Sequence, residues 1–294
     1  FRKYIDRKNM SDKYLVDYCC GVGGVGFAHR MCGGSRSLAV DMNLGRVRCY
    51  RQNHPGATVK CLNLGDEQGL RKVLMKELDK AGVEQEYVMW WSLPCQWASK
   101  VRPKHEAASD ERRRLPKLAV DHIKKLREAG RQPWLIISEN VATILDTAEW
   151  SDAAERLVRM GYDSCERVLS SKYTGTAQDR RRAYSFFFEP SKVSCEFKEI
   201  CEALERTTPN VLDKVVWYKS AWPGRRLWGP GESLPAIRSN IISHQPEKYQ
   251  ETNEEKAMGY YFKDAARMTL RDVLELQTWP RDARLPAGRD AAVK

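Results

Sequence analysis

From Tyr14 to about Pro190, short apolar runs alternate with longer stretches whose apolar residues recur at helical spacing. Strand-sized runs separated by helix-sized ones are what β-α-β units require, and a mostly parallel sheet with helices on both faces follows. The expected strands are 14–18, 37–41, 87–91, 134–138, 165–169 and 183–188, and the spacing predicts helices over 68–80 and 118–129. Between them, 100–117 reads as a basic loop carrying Arg112, Arg113 and Arg114, a run that by default forms a solvated face. After Pro190 the texture turns irregular, with Trp217, Trp222, Trp228 and the turn-formers Pro223-Gly224 and Gly229-Pro230-Gly231. A second, small domain over 190–240 is therefore expected. The chain then returns to the first domain, with a last helix over 269–276 stopped by Trp279-Pro280.

Composition sets outer limits. The chain has 294 residues, 42% of them hydrophobic, enough for one large core or a core with a satellite. No apolar run approaches the roughly 18 residues of a membrane span, and the opening Phe1-Arg2-Lys3-Tyr4 lacks the apolar stretch of a secretory signal. The expectation is an intracellular protein without a membrane partner, and a start at Phe1 suggests a piece of a longer chain. Nine scattered cysteines, with no Cys-x-x-Cys pair and no histidine at ligand spacing, point to reduced thiols and to no metal. With 50 Lys+Arg against 39 Asp+Glu the net charge is +11, which favours a polyanionic partner.

Four motifs stand at the ends of expected strands. After the first comes Asp17-Tyr18-Cys19-Cys20-Gly21-Val22-Gly23-Gly24, where glycines let backbone approach a ligand at the start of a helix. A tight turn with no ligand would read the same way. Asp41, 24 residues on at the end of the second strand, sharpens the reading, because a carboxylate there can take the ribose hydroxyls of an adenosine-containing cofactor. Pro94-Cys95-Gln96 follows the strand 87–91, at the carboxyl edge where open α/β sheets hold their ligands. Most isolated cysteines are small buried apolar residues, and only position argues for a nucleophile. Glu139-Asn140-Val141 leaves the next strand at the same edge, where a converging Glu could act as an acid toward a ring nitrogen. Last, Gln178, Arg180 and Arg182 lead into 183–188, and strand alternation would put Arg180 and Arg182 on one side and Arg181 on the other.

Together and in this order, these pieces resemble the cytosine-C5 DNA methyltransferase family from Asp17 to about Pro280. The cofactor motif D-x-F-x-G-x-G-G is similar to Asp17–Gly24, and P-C-Q, E-N-V and Q-x-R-x-R are matched by Pro94-Cys95-Gln96, Glu139-Asn140-Val141 and Gln178/Arg180/Arg182. Further matches are Asn53-His54-Pro55-Gly56, Gly161-Tyr162, Leu234-Pro235-Ala236-Ile237 and the stretch Arg271 to Pro280. The resemblance implies a Rossmann-like methyltransferase sheet with a small target-recognition domain, S-adenosylmethionine as cofactor, and double-stranded DNA as partner. It implies Cys95, Glu139, Arg180 and Arg182 as catalytic residues. Asp17, Cys19, Gly21, Gly23, Gly24, Asp41, Met42, Asn63 and Pro94 would bind cofactor, and Gln96, Ser99, Asn140, Val141 and Gln178 would bind the substrate. Lys100, Arg102, Lys104 and Arg112 to Arg114 would meet phosphates when the loop after P-C-Q closes. The nucleus in a eukaryote, or the cytoplasm of a bacterium or a phage host, would be its place.

The sequence departs from the family pattern in four places. Cys19 stands where the family has Phe, whose ring packs on adenine. Leu93 replaces the first proline of P-P-C-Q. The Asp after the third strand has no clean counterpart, with Asn63 preferred to Asp66. The closing G-N-x-V motif is missing before Lys294, so a second protein chain or a further C-terminal segment is expected to complete the cofactor pocket. Two rival readings follow: a tRNA methyltransferase of the same family, against which Cys195-Glu196-Phe197 fails to match that branch's Cys-Phe-Thr, and a non-catalytic member that stimulates a partner.

Overall fold

The computed structural model describes residues 13–82, 87–99, 109–174, 176, 178–192, 216–219, 226–228, 234–235, 259–262 and 283–284, with backbone alone at 174, 178 and from 216 to 262. Residues 100–108, most of 190–240, the helix expected at 269–276, and Cys195 and Cys201 lie outside that set. By its contacts the chain divides into two compact units, one of residues 1–169 with 182–203, the other of 170–181 with 204–294.

The first unit is built around a seven-stranded sheet. In chain order its elements are β1 (Tyr14–Tyr18), α1 (Gly24–Met31), β2 (Ser37–Asp41), α2 (Leu44–Asn53), β3 (Thr58–Cys61), α3 (Glu67–Ala81), β4 (Tyr87–Trp91), α4 (Leu115–Glu128), β5 (Leu135–Asn140), α5 (Ala148–Arg159) and β6 (Asp163–Ser170). After β7 (Gln178–Asp179), which belongs to another sheet, β8 (Arg181–Phe188) completes the set. The spatial order is β3-β2-β1-β4-β5-β8-β6. Strands β1 to β5 are parallel and β8 runs antiparallel to β5. The order reverses between β1 and β4, and a reversal of this kind opens a crevice beyond the carboxyl ends of the two strands. The Ser92 amide still donates to the Tyr18 carbonyl at 3.1 Å, so both strands reach that crevice together.

Burial on both faces explains why these strands read as continuous apolar runs. One face carries Val16, Tyr18, Leu38, Val40, Met89, Trp91 and Ile136. Leu70, Leu74 and Leu78 of α3, Ala119, Val120 and Ile123 of α4, and Trp150 and Leu157 of α5 join the same cluster. On the opposite face Ala39 and Val59 pack with Val47 and Tyr50 of α2. Among the described residues, four of the five α-helices run out at a glycine in the left-handed region: Gly33 (φ 92°), Gly82 (φ 65°), Gly130 (φ 67°) and Gly161 (φ 90°). A side chain would be strained there, so glycine ends the helix cheaply.

Two expectations need correcting. The basic loop stops short of 117, because Asp110 accepts from the Arg112 amide (2.9 Å) and opens a 3-10 turn over Glu111–Arg114 that runs directly into α4. Pro116 sits in the first turn of α4, where a missing N–H costs nothing. The alternation expected through Arg180 to Arg182 is broken, since Arg180 lies between β7 and β8 and belongs to neither. Strand β3 and helices α2 and α5 were not among the expected elements.

In the second unit, β9 (Val216–Lys219) pairs antiparallel with β10 (Arg226–Trp228) and with β12 (Gly259–Phe262). Strand β7 pairs parallel with β11 (Leu234–Pro235), Leu234 opposite Gln178 and Pro235 opposite Asp179, which joins two of the motifs quoted above.

Candidate active site

The glycine turn after β1 is held from three sides. Asp41, 5% exposed at the end of β2, accepts from the Gly21 amide through Oδ2 (3.0 Å) and from the Asn43 amide through Oδ1 (2.9 Å). Asn53 Nδ2 donates to the Val22 carbonyl (2.8 Å), and His54 Nε2 to the Gly23 carbonyl (2.9 Å); a carbonyl only accepts, so Nε2 carries the proton. His54 is wedged between the rings of Phe27 and Tyr50, with centroids 4.5 and 4.7 Å away. A Cβ on Gly23 would stand 2.4 Å from His54 Nε2, and one on Gly26 would stand 2.6 Å from the Tyr50 hydroxyl. Gly23 is thus required by crowding from behind as well as by its backbone angle, φ 104°, and Gly26 by crowding alone. The sequence displayed Asn53-His54 as a motif but not its purpose, since nothing in spacing tells that it lies under Gly23.

Asp17 is fully buried in this corner. Burial pushes its carboxyl well above the ordinary range, the neighbouring Asp41 carboxylate adds to the shift, and the Tyr50 hydroxyl offsets part of it. Cys19 holds a left-handed φ of 58° and is half-buried. Met42 is 69% exposed beside Asp41. Asn63 turns its Oδ1 onto the Gly65 amide (2.9 Å), and Asp66 caps α3 by accepting from Gly69 N (3.0 Å).

An adenosine-bearing cofactor fits these residues. Helix α1 opens on Gly23 with no side-chain cap and no acidic residue in its first turn, so its first amides are left for an anionic group. Among the described residues no group of three or more His, Cys, Asp or Glu could hold a metal ion.

Across the crevice, Cys95 follows β4 and starts the one-turn 3-10 helix Gln96–Ala98, closed by the Ala98 amide on the Cys95 carbonyl (3.0 Å). The Cys95 thiol is half-exposed, whereas those of Cys20 and Cys49 are buried. Glu139 and Asn140 end β5, whose Ser138 is in register with Trp91 of β4, so both motifs leave the same edge of adjacent strands. Asn140 Nδ2 donates to the Leu93 carbonyl (3.2 Å), and Thr143 Oγ1, a contact sequence reasoning missed, donates to the Ala98 carbonyl (2.5 Å). Val141 donates its amide to Asn140 Oδ1 (2.9 Å). Pro94 precedes the cysteine, Ser99 N reaches the Gln96 carbonyl at 3.4 Å, and Gln96 Oε1 is buried with no hydrogen-bond partner among the described residues.

Strand β8 brings Arg182 to the same place: its Nε lies 3.1 Å from Glu139 Oε1, with side chains 19% and 26% exposed. The antiparallel pairing makes this possible, since Asn140 stands opposite Ala183. Arg180 and Gln178 belong to the second unit. There the Arg180 amide donates to Ser171 Oγ (3.2 Å), and its carbonyl accepts from Ser171 N (3.1 Å). The three consecutive arginines are not a free basic surface: Arg112 forks onto Asp110 (2.8 and 2.6 Å), Arg113 reaches Glu149 (2.7 Å), and Arg114 lies 3.8 Å from Glu111.

The family model described as C-5 cytosine-specific DNA methylase matches residues 14–217. A curated relative, the Type II methyltransferase M.AgeI of Thalassovita gelatinovora, is 28% identical over 174 residues, covering 58% of this chain and 38% of the relative's own length. Among solved structures, an E. coli chain described as a DNA modification methyltransferase encoded within a prophage aligns over 95% of this chain and 92% of its own. Its TM-score is 0.60 at 14% identity, a likeness of fold. The Dnmt2 methyltransferase of S. pombe is 16% identical over 79% of this chain and 60% of its own, with a TM-score of 0.48.

Proposed function

This chain belongs to the C-5 cytosine-specific DNA methylase family, and on that premise we propose that it transfers a methyl group from S-adenosylmethionine to C5 of a cytosine turned out of double-stranded DNA, through a covalent adduct at Cys95. The observation that carries the reading is the Arg182–Glu139 pair, set at the strand edge where Asn140 also ties down the Cys95 turn. When bound, the cofactor supplies an electrophilic methyl group on a sulfonium. The residues of this chain do the rest.

C5 of cytosine is a poor nucleophile. In the proposed step the Cys95 thiol gives its proton to solvent water and the thiolate forms a bond to C6, while the electrons of the C5–C6 double bond move toward N3, which takes a proton from the Glu139 carboxyl, so that C5 becomes an enamine carbon able to take the methyl. The negative charge that addition places on the ring develops only in the transition state, so an acid at N3 lowers the barrier rather than merely tightening binding. Glu139 is assigned that role and Arg182 holds it in place. Arg180 and Gln178 are assigned to the base and its backbone. Loss of the C5 proton to solvent water, with departure of the Cys95 sulfur as thiolate and return of the N3 proton to Glu139, restores the ring and the double bond. C6 is out of reach inside a stacked duplex, so the base has to leave the stack, at a cost of a few kcal/mol returned by contacts in the pocket.

Asp41, Gly21, Gly23, Gly24, Asp17 and Cys19 are assigned to the cofactor, with Met42, Asn63 and Pro94 at its edges. Gln96, Ser99, Asn140 and Val141 are assigned to the target nucleotide. The test is methyl transfer from labelled cofactor to duplex DNA, single strands and tRNA, with Cys95→Ala beside the wild type. Transfer to duplex DNA that drops to background in Cys95→Ala supports the assignment. Activity surviving that change would end the thiolate mechanism, activity on tRNA alone would move the substrate, and no transfer at all would favour a non-catalytic role.

A further inference from the structure

A single turn of 3-10 helix has little stability of its own, so a nucleophile that starts one is placed by whatever braces the turn from outside. Around Cys95 three braces are visible. Two come from the segment that ends β5: Asn140 on the Leu93 carbonyl and Thr143 on the Ala98 carbonyl. The third comes from elsewhere in the chain. The Arg113 guanidinium carbon lies 5.9 Å from the centroid of the Trp97 ring, the central residue of that turn. Trp97 is 5% exposed, so its ring is a fixed surface.

The company Arg113 keeps separates it from its neighbours. Arg112 and Arg114 pair with carboxylates two and three positions away, Asp110 and Glu111, as charges on a local turn do. Of the ion pairs these three arginines make, that of Arg113 crosses to another helix, where Nε meets Glu149 Oε1 at 2.7 Å, while Arg112 also lies within electrostatic reach of Cys95. Glu149 lies in the first turn of α5, and Thr147 caps that helix. A planar fork held at one end by a carboxylate keeps its flat face aligned on an indole in a way that an ammonium does not.

We propose that Arg113, oriented by Glu149, is a positioning residue that sets the Cys95 turn at the distance the thiol needs for attack. The inference rests on the assignment of Cys95 as nucleophile. Displacements of about 1 Å cost on the order of a hundredfold in rate at a reacting centre, so a brace on the neighbouring residue acts on the bond-forming step. The residues assigned to the cofactor after β1 and β2, on the far side of the crevice, are left alone.

The full chain is mixed with cofactor and duplex DNA carrying 5-fluorocytosine, whose fluorine blocks the final elimination, and the rate of covalent trapping is followed for wild type, Arg113→Gln, Arg113→Lys, Glu149→Gln and the double variant Arg113→Gln/Glu149→Gln. Cofactor affinity and melting temperature are measured on each. Trapping is expected to slow by about 10- to 100-fold in Arg113→Gln and in Glu149→Gln, with cofactor affinity within about twofold of wild type. Arg113→Lys is expected to recover little, and the double variant to trap no more slowly than Arg113→Gln alone, because the pair acts as one unit. Wild-type trapping rates in Arg113→Gln would overturn the inference alone. So would a loss of cofactor affinity parallel to the loss of trapping, or defects that multiply in the double variant. A wild-type chain that forms no adduct would overturn the nucleophile assignment and this inference with it. If Arg113→Gln fails to fold, Arg113→Lys and Glu149→Gln carry the same comparison.

Discussion

Asp17 is a carboxyl group that folding takes from water into full burial, beside a second carboxylate. Its folded pKa is raised, so the native state holds a proton that the unfolded chain releases above roughly pH 4. The stability this group contributes is therefore complete below that pH and declines as pH rises toward its folded value, by at most about 1.4 kcal/mol per pH unit. Asp17→Asn keeps the shape and removes the titration. Thermal unfolding of variant and wild type at a series of pH values between 4 and 7.5 is expected to show the variant gaining on the wild type as pH rises. Parallel curves would mean that Asp17 ionises freely in place. Of the residue-scale features, the sequence displayed Asp17, Asp41, Cys95 and Glu139 through their positions at strand ends. It did not display His54 under Gly23, Thr143 on the Ala98 carbonyl or Arg113 on Trp97, because these contacts join residues with no shared periodicity.

At the scale of elements, the glycine turn and α1 depend on what stands behind them. Gly23 has φ 104°, outside what a side chain accepts, and its missing Cβ would lie 2.4 Å from a buried ring that also donates to its carbonyl. Gly23→Ala is expected to cost about 1–3 kcal/mol of stability and at least about tenfold in cofactor affinity, read by calorimetry. Gly82→Ala is the control: φ is 65° and nothing lies within 4 Å of the added carbon, so stability falls by about 1–2 kcal/mol while cofactor affinity holds. Equal cofactor affinity in the two variants would remove the crowding argument. Strands buried on both faces were legible as apolar runs. The edge strand β3, with one of its four residues buried, was not, and neither was α5, whose buried Trp150, Ala153 and Leu157 are spread among charged neighbours. Helix α4 begins earlier than its apolar spacing suggests because Asp110 and Pro116 set its start by capping and by dihedral angle, and a hydrophobic period registers neither.

For the whole molecule, the reversal of strand order between β1 and β4 puts the glycine turn, Asp41, the Cys95 turn and Glu139 along one edge of the sheet. The parallel part of this arrangement followed from the alternation of strands and helices, but the antiparallel insertion of β8, which delivers Arg182 to Glu139, is a matter of topology that no local pattern encodes. The net charge of +11 belongs to this scale as well. If the partner is a duplex, binding releases counterions, and the association constant is expected to fall by at least about tenfold between 50 and 200 mM salt in a fluorescence titration. An association indifferent to salt would take away the polyanion.

The glycines that end α1, α3, α4 and α5 stand where each helix turns back toward the amino-terminal side of the next strand, at the other end of the sheet from the glycine turn, Asp41, Cys95 and Glu139. The proposed reaction would use one rim, while the other serves to end helices. A foreign peptide spliced in after Gly130, or a gene cut there and reopened as new ends, would lengthen only the silent rim. Added length on that side is expected to leave the edge that carries Asp41, Cys95 and Glu139 as it is.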